Sequence, residues 1–106
     1  NIAFLMDKQG KWSLAPAYDV MYSYNPSSKW VSRHQMSLNN KRDYFEREDF
    51  RVVERTASMK RGRADEILDE VCEAAAKWRE FAARASVDPV LEDEVDRNHR
   101  TELSSR

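Results

Sequence analysis

From Ala64 to Ala85 apolar residues recur at spacings of three and four, and no other feature limits the fold of this chain as strongly. Ala64, Ile67, Leu68, Val71, Cys72 and Ala75, followed by Trp78, Phe81, Ala82 and Ala85, form one stripe along roughly six helical turns. Glu66, Asp69, Glu70, Glu73, Lys77 and Glu80 lie opposite, as a solvated face. Asp65 and Glu66 suit the positive end of such a helix, and Arg84 suits its negative end. Upstream, Phe50, Val53 and Ala57 fall at i, i+3 and i+7, which predicts a shorter amphipathic helix from Arg47 to Ser58. Lys60-Arg61-Gly62 ends it as a solvated turn. Asp88-Pro89 has the form of an N-cap followed by a first helical residue, so Val90 to Val95 begin a last helix, while Thr101 to Arg106 fray.

The front of the chain has a different period. Ile2 to Met6 run out, Asp7-Lys8-Gln9-Gly10 turn, and Lys11 to Leu14 run back toward Ala15-Pro16-Ala17-Tyr18-Asp19. Two arms of similar length return Asp19 to the neighbourhood of Asn1. A carboxylate and a carboxamide meeting at the open end of a hairpin suit Mg²⁺, a hard cation that takes one or two protein oxygens and leaves its other positions to water and phosphate. On spacing alone, the same two residues also read as a chain end and a turn residue after Pro16. Beyond Asp19, Asn25-Pro26-Ser27-Ser28 marks a loop. Trp30 to Leu38 alternate roughly between apolar and polar, as a short strand does, and Asn39-Asn40 suit a tight left-handed turn.

The wording of the front segment is specific. Asn1-Ile2-Ala3-Phe4-Leu5-Met6, followed by Leu14-Ala15-Pro16-Ala17-Tyr18-Asp19-Val20, resembles the HipA-like serine/threonine kinases, the toxins of bacterial toxin–antitoxin pairs. The resemblance continues more weakly through His34 to Lys41 and fades after about Ala85. It implies the C-terminal-lobe part of a kinase-like fold, mainly α with an N-terminal β-hairpin. Residues 1–106 then form one domain, with a metal-site hairpin and an activation-segment-like region over 1–42 and a helical subdomain over 43–106. It also implies that Asn1 and Asp19 are the Mg²⁺ and ATP ligands, that Pro16 and Tyr18 fix the approach of Asp19, and that Arg33, His34 and Lys41 lie on the face near the active site. Asn40 stands where many relatives have Gly.

In that family the γ-phosphate of ATP goes to a protein serine. An aminoacyl-tRNA synthetase is one kind of substrate, and an antitoxin of the HipB type is the partner, through which DNA is contacted only indirectly. The kinase pattern places its catalytic base five residues before the Asn, and the Gly-rich cover and ATP-anchoring Lys lie further upstream. No catalytic base is therefore assigned within these residues. The chain is expected to be an excised or degraded piece, or a remnant of a truncated gene, and inactive alone. The alternative is a non-catalytic helical interaction module that binds an antitoxin-like partner or DNA. A DNA-binding domain carries a basic stripe, whereas the long helix here is acidic.

Composition narrows the setting. The chain is 41% hydrophobic and 35% charged, enough for one modest core in 106 residues. Charge is uneven: residues 1–42 carry six Lys/Arg against two Asp/Glu, and residues 43–106 carry twelve against seventeen. The front is thus basic where a phosphate would sit. A single cysteine, Cys72, excludes an internal disulfide and a CxxC metal site, and its place on the apolar stripe suits a small buried hydrophobe. No apolar run approaches the roughly 18 residues of a membrane span, so a cytoplasmic protein without membrane contact is expected. His34 and His99 do not suggest a metal pair. Trp12, Trp30 and Trp78 are expected to anchor the core.

Overall fold

A computed structural model describes residues 2–103. Strands β1 (Phe4–Met6) and β2 (Trp12–Leu14) precede four helices: α1 (Arg47–Thr56), α2 (Arg63–Ala76), α3 (Trp78–Arg84) and α4 (Pro89–Asn98). The protein is mainly helical, with a two-stranded antiparallel hairpin at its front, as the sequence predicts.

The hairpin pairs Phe4 with Leu14, Leu5 with Ser13 and Met6 with Trp12. Its turn is fastened by the Asp7 carboxylate, which accepts from the backbone N–H groups of Gln9 and Lys11 at 2.9 Å each. Gly10 there has φ 82°, a left-handed conformation that costs glycine little. Because side chains alternate across a strand, Phe4, Met6, Trp12 and Leu14 share one face. That face is bare: Trp12 is 64% exposed and Leu14 67%.

Helix α1 begins where expected but turns a different face inward. Its buried residues are Asp49 and Glu54, whereas Val53 and Ala57, taken from the periodicity as apolar anchors, are exposed. Polar contacts explain this inversion. Glu54 Oε2 accepts from the backbone N–H of Ala64 at 2.8 Å, satisfying one of the orphan donors at the start of α2. Arg51 grips Asp65 through two guanidinium nitrogens at 2.8 and 3.2 Å, and Arg47 donates to Asp65 at 3.0 Å and also binds Asp69. The α1–α2 pair is therefore joined by charge-assisted hydrogen bonds around small apolar contacts at Ala64 and Leu68.

The predicted single helix from Ala64 to Ala85 is two helices, broken at Lys77. No Gly or Pro marks the break. There the Lys77 N–H bonds Ala74 at 3.2 Å, the tightened last turn common at helix ends. A new helix then starts with Trp78. From α3 the indole Nε1 donates to the carbonyl of Glu92 at 3.0 Å, and the Trp78 ring meets His99 edge-on at 5.9 Å. Packing on α4 thus overrides a continuous helical propensity. The stripe is correspondingly only part core: Ala64, Leu68 and Ala82 are buried, while Val71 is 59% exposed and Phe81 45%.

Helices α1 and α3 end alike. Beyond α1, Ser58 (φ 53°) donates to Arg55 and Met59 to Glu54; beyond α3, Ser86 (φ 55°) donates to Ala83 and Val87 to Ala82. Both are Schellman closures with serine in the place usually taken by glycine. Helix α4 begins as predicted, with the Asp88 side chain accepting from Val90 and Leu91 and Pro89 at the first position.

Trp30 to Leu38, expected as a short strand or extended segment, contains no strand. It is a run of turns, with Leu38 joined to Lys41 in an isolated bridge. Trp30 is 67% exposed, so of the three tryptophans only Trp78 is an anchor. The radius of gyration, 16.5 Å, exceeds the about 13 Å of a close-packed domain of this length. The elements are arranged openly. Of the stretch expected to fray, residues 104–106 lie outside the described residues, and no helix among those described is long and apolar enough to cross a membrane.

Candidate metal-binding hairpin and the Asp49-braced turn

The hairpin's open end brings its two arms together beyond the strands. The Ala15 N–H donates to the Ala3 carbonyl at 2.9 Å, continuing the ladder, and Ile2, Ala3, Leu14, Ala15, Pro16 and Ala17 line a cleft of about 160 Å³. Asp19 lies two residues past that cleft, exposed and in the left-handed region at φ 50°. Asp adopts this conformation more readily than most residues, and residues held there concentrate at functional sites. Among the described residues, no hydrogen bond or ion pair engages the Asp19 carboxylate. Asn1, its expected partner, lies outside the described residues.

No group of three or more His, Cys, Asp or Glu side chains among the described residues makes a metal cage. A cation that needs many protein ligands does not fit. One carboxylate open to solvent fits Mg²⁺, which keeps several waters and binds through one or two carboxylates together with substrate phosphates.

Further along the chain, the 38–41 turn is built as the asparagines suggest. Asn39 (φ 48°) and Asn40 (φ 62°) both take left-handed conformations, and Leu38 and Lys41 exchange backbone bonds at 2.8 and 2.9 Å. Asn40 thus takes the geometry for which glycine was expected.

The residue that secures this turn is Asp49, which sequence reasoning did not single out. At 2% exposure it is the largest fully buried side chain. It accepts from Asn39 Nδ2, Lys41 Nζ and the Glu46 backbone N–H, each at 2.8 Å. The Lys41 ammonium, chiefly, holds its carboxyl down at about 2, with the Glu46 N–H and Asn39 adding to the effect against the burial that opposes it. The available signal was an acidic residue at the third position of α1, where a side chain reaches back to the N-cap N–H.

Lys41 is accordingly committed to Asp49 and, at 3.3 Å, to Glu46. The His34 ring packs on Phe45 at 5.5 Å, and Arg33 is exposed. The first two of these resemblance-implied positions hold the loop against the start of α1. Cys72 is half-buried on the stripe. Lys60 and Arg61 are exposed beside Gly62 (φ 88°), as a solvated turn requires.

Residues 1–79 match the family of HipA-like C-terminal domains. The match includes the hairpin, Asp19, the Asp49-braced turn, α1 and α2; the chain belongs to this family. No curated protein and no solved structure matches it.

Proposed function

We propose that this chain is the metal-binding and helical part of a HipA-like serine/threonine kinase, acting in the transfer of the ATP γ-phosphate to a protein serine. The observation that carries the proposal is Asp19: in a chain of this family, it is an exposed carboxylate in a left-handed conformation, beyond the open end of the hairpin, with no cation engaging it among the described residues.

Asp19 and Asn1 would hold Mg²⁺. The bound ion would supply charge neutralisation at the β- and γ-phosphates, where catalysis is mostly positioning and electrostatics. The chain's own contribution is orientation. Pro16 fixes its own φ near the cleft, Tyr18 follows it, and the paired strands set the approach of Asp19. The basic front favours the polyphosphate.

The Gly-rich phosphate cover of the kinase pattern has no counterpart within these 106 residues, and the polypeptide by itself is proposed to be inactive. An antitoxin of the HipB type as partner, an aminoacyl-tRNA synthetase as substrate and a cytoplasmic setting belong to the same proposal.

The experiment joins these residues to an ATP-binding lobe and follows labelled phosphate. Asp19→Ala should abolish transfer and leave the fold intact, because among the described residues the carboxylate makes no contact that stabilises the fold. Transfer at the parent rate would refute the role of Asp19.

A further inference from the structure

We propose that α4 is a strap that holds the irregular segment 20–44 in one conformation. The inference stands whatever Asp19 binds.

The segment has little of its own to fix it. Among its residues there is no helix or named strand, and its apolar side chains are not buried: Val20 is 84% exposed, Met21 71% and Met36 81%. Asp49 braces it only at the 38–41 turn. An irregular stretch with solvated apolar side chains and few backbone bonds belongs to the low-stability end of a structure unless something distant ties it.

Helix α4 supplies that tie. It is itself anchored: Val95 is 3% exposed and Ala82 on α3 is fully buried. The Arg79 guanidinium on α3 bonds Glu92 and Asp93 at 3.1 and 2.9 Å and grips Asp96 with two nitrogens at 3.1 and 2.8 Å. From this base the end of α4 reaches across 76 residues of sequence, where Asn98 Nδ2 donates to the Tyr22 hydroxyl at 2.9 Å. The same nitrogen donates to the Glu94 carbonyl, which fixes the amide's orientation.

Two residues on, the Arg100 guanidinium pairs with Asp43 and lies over the Tyr44 ring, 5.6 Å from its centre. Tyr44 is where the backbone is least relaxed. It has φ 51°, unusual for a bulky residue, and its ring is otherwise open to solvent. Such a conformation persists only when its surroundings over-determine it. Here the Asp43 carboxylate accepts the Tyr44 N–H while Arg100 grips both side chains. Contacts land at both ends of the segment, and all come from beyond residue 79, where the family match stops. The strap therefore lies outside the matched residues, and its release frees the stretch that begins directly after Asp19.

Limited chymotrypsin digestion of the full chain tests this, with cleavage at Tyr22, Tyr24, Trp30 and Tyr44 followed by mass spectrometry. Loss of one charged hydrogen bond corresponds to about tenfold in local opening. Arg100→Ala with Asn98→Ala should therefore speed cleavage within 22–44 by about tenfold or more, while cleavage at Phe50 in α1 stays at the parent rate. At position 100, protection should follow charge, with Lys nearest the parent, Ala weaker and Glu weakest. Asn98→Ala alone, remote from the buried contacts, should expose the Tyr22 end selectively. Parent-like cleavage in all variants, acceleration at Phe50 to the same degree, or a series at position 100 that ignores charge would each overturn the strap.

Discussion

Replacing Asp49 by Ala removes the carboxylate that chiefly ties the 38–41 turn to α1, leaving only the longer Lys41–Glu46 pair. Three donors lose their acceptor, but they do not suffer equally. Lys41, with 38% of its side chain exposed, and the exposed Asn39 regain water, so each loses only the net worth of its bond, about 1 to 2 kcal/mol for bonds to a charged group in a partly solvated setting. The Glu46 N–H loses a capping contact worth about 1 kcal/mol. Together these give about 3 to 5 kcal/mol, a large part of the 5 to 15 kcal/mol typical of a domain. Urea titration followed by circular dichroism at pH 7 measures the loss. Lys41→Ala and the double variant complete a cycle whose coupling should be about 1 to 2 kcal/mol.

Acid gives an independent check. The folded Asp49 carboxyl titrates at about 2, below its ordinary value of 3.8, so the unfolded chain takes the proton first as pH falls. The stability gap between parent and Asp49→Ala should stay constant above about pH 5 and close between about pH 4 and 2. A cost under about 1 kcal/mol at pH 7, or a gap that does not narrow in acid, would refute the bracing role.

Other expectations are simpler. Trp78→Ala, which removes the indole bond to Glu92 and the contact with His99, should cost about 3 kcal/mol in urea melts, whereas Glu73→Ala on the solvated face should stay within about 0.5 kcal/mol. Ser58→Gly and Ser86→Gly relieve left-handed strain at two helix ends, and each should raise stability by about 0.5 to 1 kcal/mol in the same assay; a loss at either position would contradict the closure described there. Arg79→Ala should detach α4 from α3, visible as loss of Trp78 fluorescence anisotropy and faster exchange at Val95, with the α1–α2 amides unchanged.

The hairpin was legible in the sequence because its turn carries Asp7 and Gly10 at positions with local chemistry, and α4 because Asp88-Pro89 is a strong start signal. Asn39-Asn40 announced their turn for the same reason. What escaped the sequence depends on distant partners. The break at Lys77 follows from Trp78 finding α4, and the inward face of α1 follows from Asp49 meeting Lys41 and Glu54 meeting Ala64, contacts that hydrophobic periodicity does not register. Rough alternation from Trp30 to Leu38 suggested a strand, but a strand needs a neighbour, and among the described residues none lies beside it. At the candidate site, Asp19 was named from the wording of the residues around it, and the structure adds its exposure and left-handed backbone. Asp49 and the α4 contacts were not, since they come from hydrogen bonds that no local pattern encodes.

The most direct test of the metal assignment is paramagnetic broadening by Mn²⁺, standing in for Mg²⁺, in the amide spectrum of this chain with ADP present. Broadening should centre on residues 2–3 and 15–20, vanish in Asp19→Asn and reverse with excess Mg²⁺. Broadening centred on the acidic faces of α2 or α4, or unchanged in Asp19→Asn, would contradict a metal site at Asp19.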